Sequence, residues 1–296
     1  MDIIEGKTIS IKRRAKLKEE IIKIKNMTGK NPGLATVLVG DNPASKVYIS
    51  SKIKACKEVG IESFHHDLSS NSSEKTVINL INDLNKNKEI NGILIQLPLP
   101  KQEFTRNCIN SIDPLKDVDG IHPFNIGLLD STKNWIDIVK QNLLIPCTPL
   151  GIMHLLKYYN ISMTGKTALI IGRSNLVGKP MANLLLANNA TVIMAHSKTK
   201  KLKELCKTAD IVIVSIGKPN FINKEFIKNN SIVVDVGINR NFNGLCGDVD
   251  FNSVKNMDIK ITPVPGGVGP MTITSLLENT LKAFITTNMI KSSIFA

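Results

Sequence analysis

The sequence predicts an α/β fold in two parts, each built on a mainly parallel sheet. Three observations carry this. The chain has 296 residues with 42% hydrophobic content, enough for two modest cores. Short apolar runs alternate with helical patterns along both halves, the signature of parallel strands joined by helices. And Thr167–Met181 (TALIIGRSNLVGKPM) reads as a buried strand, a glycine turn and a helix start.

In the first half, Ser10–Lys25 reads as an amphipathic helix and Gly33–Val39 (GLATVLV) as a buried strand. Asp41–Ser45 (DNPAS) reads as a turn, with Ser45 as candidate cap of a helix over Lys46–Val59 that stops at Gly60. Ile61–Asp67 is the next strand and Ser73–Asn85 the next helix, through Val77, Ile78, Leu80, Ile81 and Leu84. Gly92–Gln96 (GILIQ) is a further strand, which Pro98 and Pro100 must end. Phe124–Pro149 resists assignment, with a polar, variable-looking stretch at Leu129–Asn142, and a domain junction is expected here.

The second half is expected as helix Leu150–Tyr159, strand Lys166–Ile171, helix Gly178–Asn188, strand Thr191–His196 and helix Lys200–Thr208. Strand Asp210–Ser215, a short helix Lys224–Asn229 and strand Ser231–Val236 follow. This is a doubly wound pattern. It closes with a Gly/Pro loop, Pro263–Pro270, and a helix over Thr272–Thr286.

Composition narrows the function classes. The net charge is +13, but the lysines are spread along the chain, the densest run (Lys198, Lys200, Lys201, Lys203) is short, and aromatics are only 4%. A nucleic-acid partner would want a stacking surface, which is missing, so none is expected. The five cysteines form no CxxC pair and the five histidines no HExxH, so neither a disulfide framework nor a metal site is expected. No apolar run nears the roughly 20 residues of a membrane span, and MDIIEGKTIS lacks a signal-peptide core. A cytoplasmic protein without a membrane partner is the expectation.

The turn at Gly172–Gly178 is suited to a pyrophosphate, because the free N–H groups and dipole of a helix N-terminus favour an anion. Yet its glycine motif is degraded: Ser174 and Val177 stand at the second and third glycine positions. Alone it also fits any buried strand ending in a glycine turn. The surrounding strand–helix repeats favour the dinucleotide. After the next strand comes His196-Ser197-Lys198-Thr199, with no acid to accept from a ribose 2′-hydroxyl. Together with Arg173 this favours a 2′-phosphate, hence NADP over NAD, while Lys198 by itself also reads as a solvated loop lysine.

In the first half, Tyr48 and Lys52 stand one helical turn apart on one face. A partly desolvated lysine can exchange protons near neutral pH. The plain alternative is an exposed lysine beside a half-buried tyrosine. Short-chain dehydrogenases share the spacing, but there it follows the dinucleotide motif, and here it precedes it. Gln96 ends a strand, where α/β sites gather. Asp117 and Asp119 lack the partners of a metal loop, but one such carboxylate can grip two parallel N–H donors of a ring edge. The stiff segment Pro263–Thr272 could close on a flat ring, or be a linker.

Taken in order, VGDNPASKVYISSK, GILIQLPLP, KDVDGIHPFNIG, PCTP, IGRSNLVGKP, VDVGINR and PVPGGVGPMT are far more specific than any one of them. From about Gly33 to Phe284 the chain resembles the bifunctional methylenetetrahydrofolate dehydrogenase/methenyltetrahydrofolate cyclohydrolase family. The resemblance implies a homodimer that oxidises 5,10-methylenetetrahydrofolate with NADP and hydrolyses the methenyl product to 10-formyltetrahydrofolate. It implies a catalytic domain over 1–145 plus 272–296, completed by the returning C-terminal helix, and a Rossmann-type NADP domain over 146–271, with folate in the cleft between them. Carried onto this chain, Lys52 is the catalytic lysine, Tyr48 stacks on or orients the folate, Gln96 supports Lys52, and Asp119 holds the pterin edge. Leu97, Pro98, Pro263, Gly267 and Pro270 line the substrate site. Gly172, Arg173, Ser174, Ser197 and Ile238 contact the cofactor. The readings left beside it are another two-domain dehydrogenase, acting on an amino acid or a shikimate-like acid, and a basic nucleic-acid-binding protein.

Overall fold

The structure is a computed structural model and describes residues 1–242 and 244–290. In chain order the elements are β1 (Asp2–Ile3), α1 (Gly6–Thr28), β2 (Gly33–Val39), α2 (Pro43–Val59), β3 (Glu62–Leu68), α3 (Glu74–Lys86), β4 (Gly92–Ile95), α4 (Thr105–Asn110), α5 (Pro123–Ser131), α6 (Trp135–Lys140) and α7 (Cys147–Tyr158). Then come β5 (Thr167–Ile171), α8 (Gly178–Leu186), β6 (Thr191–Ala195), α9 (Leu202–Thr208), β7 (Ile211–Val214), β8 (Ile232–Asp235), β9 (Asn239–Asn241), β10 (Gly244–Cys246), α10 (Phe251–Val254), β11 (Lys260–Ile261) and α11 (Val268–Thr287).

The chain folds as two compact units. One contains Lys12–Leu128, Val139–Cys147 and the chain from Ile273 onward. Its sheet has the order β3-β2-β4, with both pairings parallel. Strand β2 is buried on both faces, and its alternation divides two cores. Ala35, Val37 and Val39 meet Val77, Ile81 and Leu84 of α3. Leu34 lies in the other core with Leu17 and Ile21 of α1, Val59 of α2 and Leu277 and Phe284 of α11.

The second unit contains Met1–Ile11, Leu129–Ile138 and Thr148–Thr272. Its six-stranded sheet runs β1-β11-β8-β7-β5-β6, parallel throughout. Strand β5 has β6 on one side and β7 on the other, so the strand order reverses beside its C-terminal end. That reversal is where doubly wound sheets bind ligands.

Several boundaries differ from the sequence reading. Residues 1–11 and 129–138, expected in the catalytic domain, fall in the second unit. Strand β1 pairs with β11 there, and the Trp135 N–H donates to the Ala187 carbonyl. The cap of α2 is Asn42, not Ser45: its side chain accepts from the N–H groups of Ala44 and Ser45, and Pro43 suits the first helical position, so the helix starts earlier. The stretch Leu129–Asn142 contains the end of α5 and all of α6. No helix forms over Lys224–Asn229, where Asn223 Oδ1 takes the Glu225 N–H and Ser253 Oγ takes that of Lys224. The final helix starts at Val268, so the Gly/Pro loop supplies its first turn; Pro270 is tolerated there because first-turn N–H groups have no intrahelical acceptor.

Candidate functional site

In the first unit, three segments converge on Lys52. Helix α2 carries Tyr48 and Lys52, one turn apart, and Gly60 in a left-handed conformation ends it (φ +90°). Gln96 stands directly after β4, held in line by its N–H to the Val37 carbonyl. Its Nε2 donates to the Leu97 carbonyl at 2.8 Å, which turns Oε1 toward Lys52, and Lys52 Nζ donates to that oxygen at 2.9 Å. The amide therefore presents an acceptor but no charge to the amine.

Asp119 is the nearby charge. It lies close enough for its carboxylate to act on Lys52 and for Lys52 to act back. Burial pushes the Lys52 amine below its usual range, and the Asp119 charge partly restores it. Burial likewise raises the Asp119 carboxyl, while the Lys52 charge and the Cys147 thiol lower it. Burial is the larger effect on each, so both groups stand nearer to neutrality than they would in water. Burial also raises the Tyr48 phenol, so at neutral pH it is an un-ionised donor.

The backbone around Asp119 is pinned. Cys147 donates its N–H to the Asp119 carbonyl at 3.3 Å and its thiol to the Val118 carbonyl at 3.2 Å. Buried Asn279 of α11 donates Nδ2 to the carbonyls of Val118 at 2.9 Å and Ile145 at 2.8 Å. Gly120 turns with φ +70°, and a Cβ there would lie 2.4 Å from the Ile145 carbonyl carbon. Asp117 does different work. Its Oδ2 accepts from the His122 N–H and Asn125 Nδ2, so it braces the turn while Asp119 faces the amine.

Leu97 and Pro98 follow Gln96, half-buried and exposed respectively. Pro263, Gly267 and Pro270 belong to the second unit. There Gly267 is buried where a Cβ would lie 2.5 Å from the Pro263 carbonyl oxygen, and Pro270 lies in the first turn of α11.

The dinucleotide candidates of the second unit gather at the C-terminal edge of its sheet. Gly172 follows β5 with φ +130°, and a Cβ would lie 2.2 Å from the Ser215 carbonyl oxygen. A Cβ on Gly178 would lie 2.3 Å from the Gly172 carbonyl oxygen, so these two glycines let the turn and the start of α8 close on each other. Ser174 Oγ accepts from the Val177 N–H at 3.1 Å, and its own O–H can still donate. Arg173 and Ser174 are exposed in this turn, Ser197 is exposed after β6, and Ile238 is 44% exposed after β8. The positive end of α8, an exposed guanidinium and hydroxyls fit a phosphorylated dinucleotide, and no acid stands among residues 195–201 to oppose a 2′-phosphate.

Sequence reasoning missed Asn279 and, at the cofactor edge, the carboxylates of Asp235 and Asp248. One signal was available for the first: an amide within the apolar run of α11, among Leu276, Leu277 and Leu281, needs a buried partner.

Comparison with known proteins identifies the family. The catalytic-domain family of tetrahydrofolate dehydrogenase/cyclohydrolase matches residues 4–119, and its NAD(P)-binding domain matches residues 146–288. The bifunctional protein FolD of Campylobacter hominis is 51% identical over 284 residues, spanning 96% of this chain and 97% of its own. The solved bifunctional FolD methylenetetrahydrofolate dehydrogenase/cyclohydrolase of Campylobacter jejuni superposes with a TM-score of 0.91 at 46% identity, covering 97% of this chain and 99% of that one. The N5,N10-methylenetetrahydrofolate dehydrogenase-cyclohydrolase of Trypanosoma brucei, solved with NADP cofactor and an inhibitor, gives 0.89 at 32% identity, covering 97% and 98%.

Proposed function

We infer the activity from one premise: the chain belongs to the tetrahydrofolate dehydrogenase/cyclohydrolase family. It is a bifunctional one-carbon folate enzyme. It oxidises 5,10-methylenetetrahydrofolate to the 5,10-methenyl form with NADP, then hydrolyses that product to 10-formyltetrahydrofolate. The observation that carries this reading is the Lys52 amine, depressed by burial and hydrogen-bonded to uncharged Gln96.

NADP, when bound, accepts the hydride. What remains on the folate is a cationic amidinium, which a permanent cation held beside it would destabilise. A lysine that burial brings toward neutrality is compatible with that product. In the second reaction water adds to the amidinium carbon and loses a proton, and the neutral amine is placed to take it. Protonation of the ring nitrogen then lets the C–N bond break. Gln96 orients the amine in both steps without adding charge. Asp119 grips the N–H edge of the pterin, and Tyr48 orients the ring beside it, with Leu97, Pro98, Pro263, Gly267 and Pro270 as further substrate contacts. Gly172, Arg173, Ser174, Ser197 and Ile238 hold the cofactor, Arg173 and Ser197 at its 2′-phosphate. The folate domain is assigned to 1–145 plus 272–296, corrected for the two segments that join the second unit, and the NADP domain to 146–271. A homodimer in the cytoplasm, with no nucleic-acid partner, completes the proposal. No helix among the described residues is long and apolar enough to cross a membrane.

The test mixes purified protein, methylenetetrahydrofolate and NADP and follows the methenyl absorbance. No signal with either NADP or NAD would overturn the reading. Lys52→Met should lower cyclohydrolase activity by at least about 100-fold, the usual scale of positioned proton transfer. Full retention would remove Lys52 from the mechanism.

A further inference from the structure

The loops after β7 and β8 are joined by two interlocked carboxylates that no step of the reaction uses. Asp235, the last residue of β8, accepts at Oδ1 from the N–H groups of Gly237 (3.0 Å) and Asp248 (2.9 Å), and at Oδ2 from that of Val249 (2.9 Å). It thereby fixes the backbone of Asp248. The Asp248 side chain reaches back across the sheet edge. Its Oδ2 accepts from the N–H groups of Ile216 (2.7 Å) and Gly217 (3.0 Å), and its Oδ1 from Asn239 Nδ2 (2.9 Å). Both carboxylates are buried, and space for them exists only because their neighbours lack side chains. A Cβ on Gly237 would lie 2.2 Å from Asp248 Cγ, and one on Gly247 would lie 1.8 Å from Asp235 Oδ2.

The loops so joined stand at the C-terminal ends of their strands, on the same sheet edge as Gly172 and beside Ile238. Parallel sheets present ligands at that edge. A surface loop would otherwise be among the least stable parts of the molecule. Three N–H donors converge on each carboxylate, and those of Asp248 come from both loops, so it ties one loop to the other.

We propose that Asp248 is a positioning residue for the dinucleotide: its carboxylate holds the Ile216–Gly217 loop and, through Asn239, Ile238 in the arrangement that receives NADP. The inference rests on the proposed NADP site and names a residue that acts on it without touching the reacting atoms. It predicts a separation of the two activities, because hydrolysis of methenyltetrahydrofolate needs no dinucleotide.

Asp248→Asn tests it. The amide has the same shape and fits the space beside Gly237, but it carries one acceptor oxygen instead of two, so it cannot satisfy both the Ile216–Gly217 pair and Asn239. The Kd for NADP, measured by calorimetry without folate, should rise about tenfold or more, from the loss of charge-assisted bonds. The dehydrogenase KM for NADP should rise in step. Cyclohydrolase activity on methenyltetrahydrofolate without NADP should stay within about twofold. Asn239→Ala removes one bond and leaves the carboxylate, and should raise the Kd by about two- to fivefold, the scale of a single hydrogen bond. An unchanged NADP Kd in Asp248→Asn would overturn the proposal. So would a fall of cofactor-free cyclohydrolase activity in step with NADP affinity in both variants, since the pair would then support the whole fold. A wild-type protein that binds NADP but turns over no folate would refute the proposed function and leave this inference standing.

Discussion

Replacing Gln96 with Glu should move the cyclohydrolase pH profile upward. The amide oxygen lies 2.9 Å from Lys52 Nζ, and the substitution puts a carboxylate oxygen in its place without adding a carbon atom. At an effective dielectric of about 20, opposite unit charges at that separation attract by roughly 6 kcal/mol. Much of this is consumed by burying a second charge, and opposite charges this close shift a pKa by about 1–3 units in practice. The sign follows from the state required. Burial lowers the Lys52 amine from its usual value, and the neutral amine that accepts a proton from water exists above its pKa. A neighbouring carboxylate raises that pKa, so the ascending limb of the cyclohydrolase profile moves to higher pH by about 1–3 units. Below the limb, the rate falls about tenfold for each unit moved, because the neutral fraction does. The assay is loss of methenyl absorbance across pH 6–9.5 (about the working range), corrected for uncatalysed hydrolysis. A limb at the wild-type pH with an undiminished rate would refute the argument, since it would mean that the amine is not the titrating base or that Gln96 does not touch it.

Two further outcomes follow from the packing. Asn279→Ala should destabilise the protein by about 1–3 kcal/mol, because it leaves the buried carbonyl of Ile145 unpaired and that of Val118 with only the weak Cys147 thiol donor; urea denaturation measures it, and a loss below about 0.5 kcal/mol would contradict the pinning described. Gly178→Ala should abolish measurable NADP binding by calorimetry while cofactor-free cyclohydrolase activity persists, because its methyl group would lie 2.3 Å from the Gly172 carbonyl oxygen and must open the turn.

The legible parts of the sequence were those whose signal is local. Strands β2, β4, β5 and β7 are short apolar runs buried along their length, and hydrophobic patterning finds them. Tyr48 and Lys52 share a helix face, so their spacing alone placed them together. Gln96 and Gly172 end strands, and strand ends in such sheets carry function. Strands β1 and β11 are two residues each and are defined by pairing: β11 adds to β8, and β1, from the opposite end of the chain, adds to β11. The hairpin β9–β10 opens on Asn239, Arg240 and Asn241, with no apolar alternation to find. The same limit governs the supporting residues of both sites. Asn279 acts on carbonyls 161 and 134 residues away, and Asp248 on N–H groups 32 and 31 residues away. A polar side chain in an apolar stretch announces that a partner exists but not which one. The partner is set by tertiary packing.

The Lys52–Asp119 pair gives the complementary test, in the opposite direction to Gln96→Glu. Each group opposes the other's loss of charge: burial drives the amine down and the carboxyl up, and their attraction pulls both back. Removing the carboxylate as Asp119→Asn leaves burial of the amine without the charge that chiefly opposes it, so the Lys52 pKa falls further and the ascending limb moves to lower pH. The neutral fraction at pH 7 then rises, yet activity should not. If Asp119 holds the N–H edge of the pterin, the amide cannot accept two parallel donors and turns one of its own toward them. Folate KM should rise by at least about tenfold, as for a lost charge-assisted pair, while the NADP Kd stays unchanged. The two variants thus bracket Lys52, one raising and one lowering its pKa, and only the second weakens folate binding through the ring edge. If Asp119→Asn shifted the limb upward, the carboxylate would not be what raises the amine's pKa; if it left both limb and folate KM unmoved, the carboxylate would neither act on the amine nor hold the substrate, and the site would have to be rebuilt around another acid.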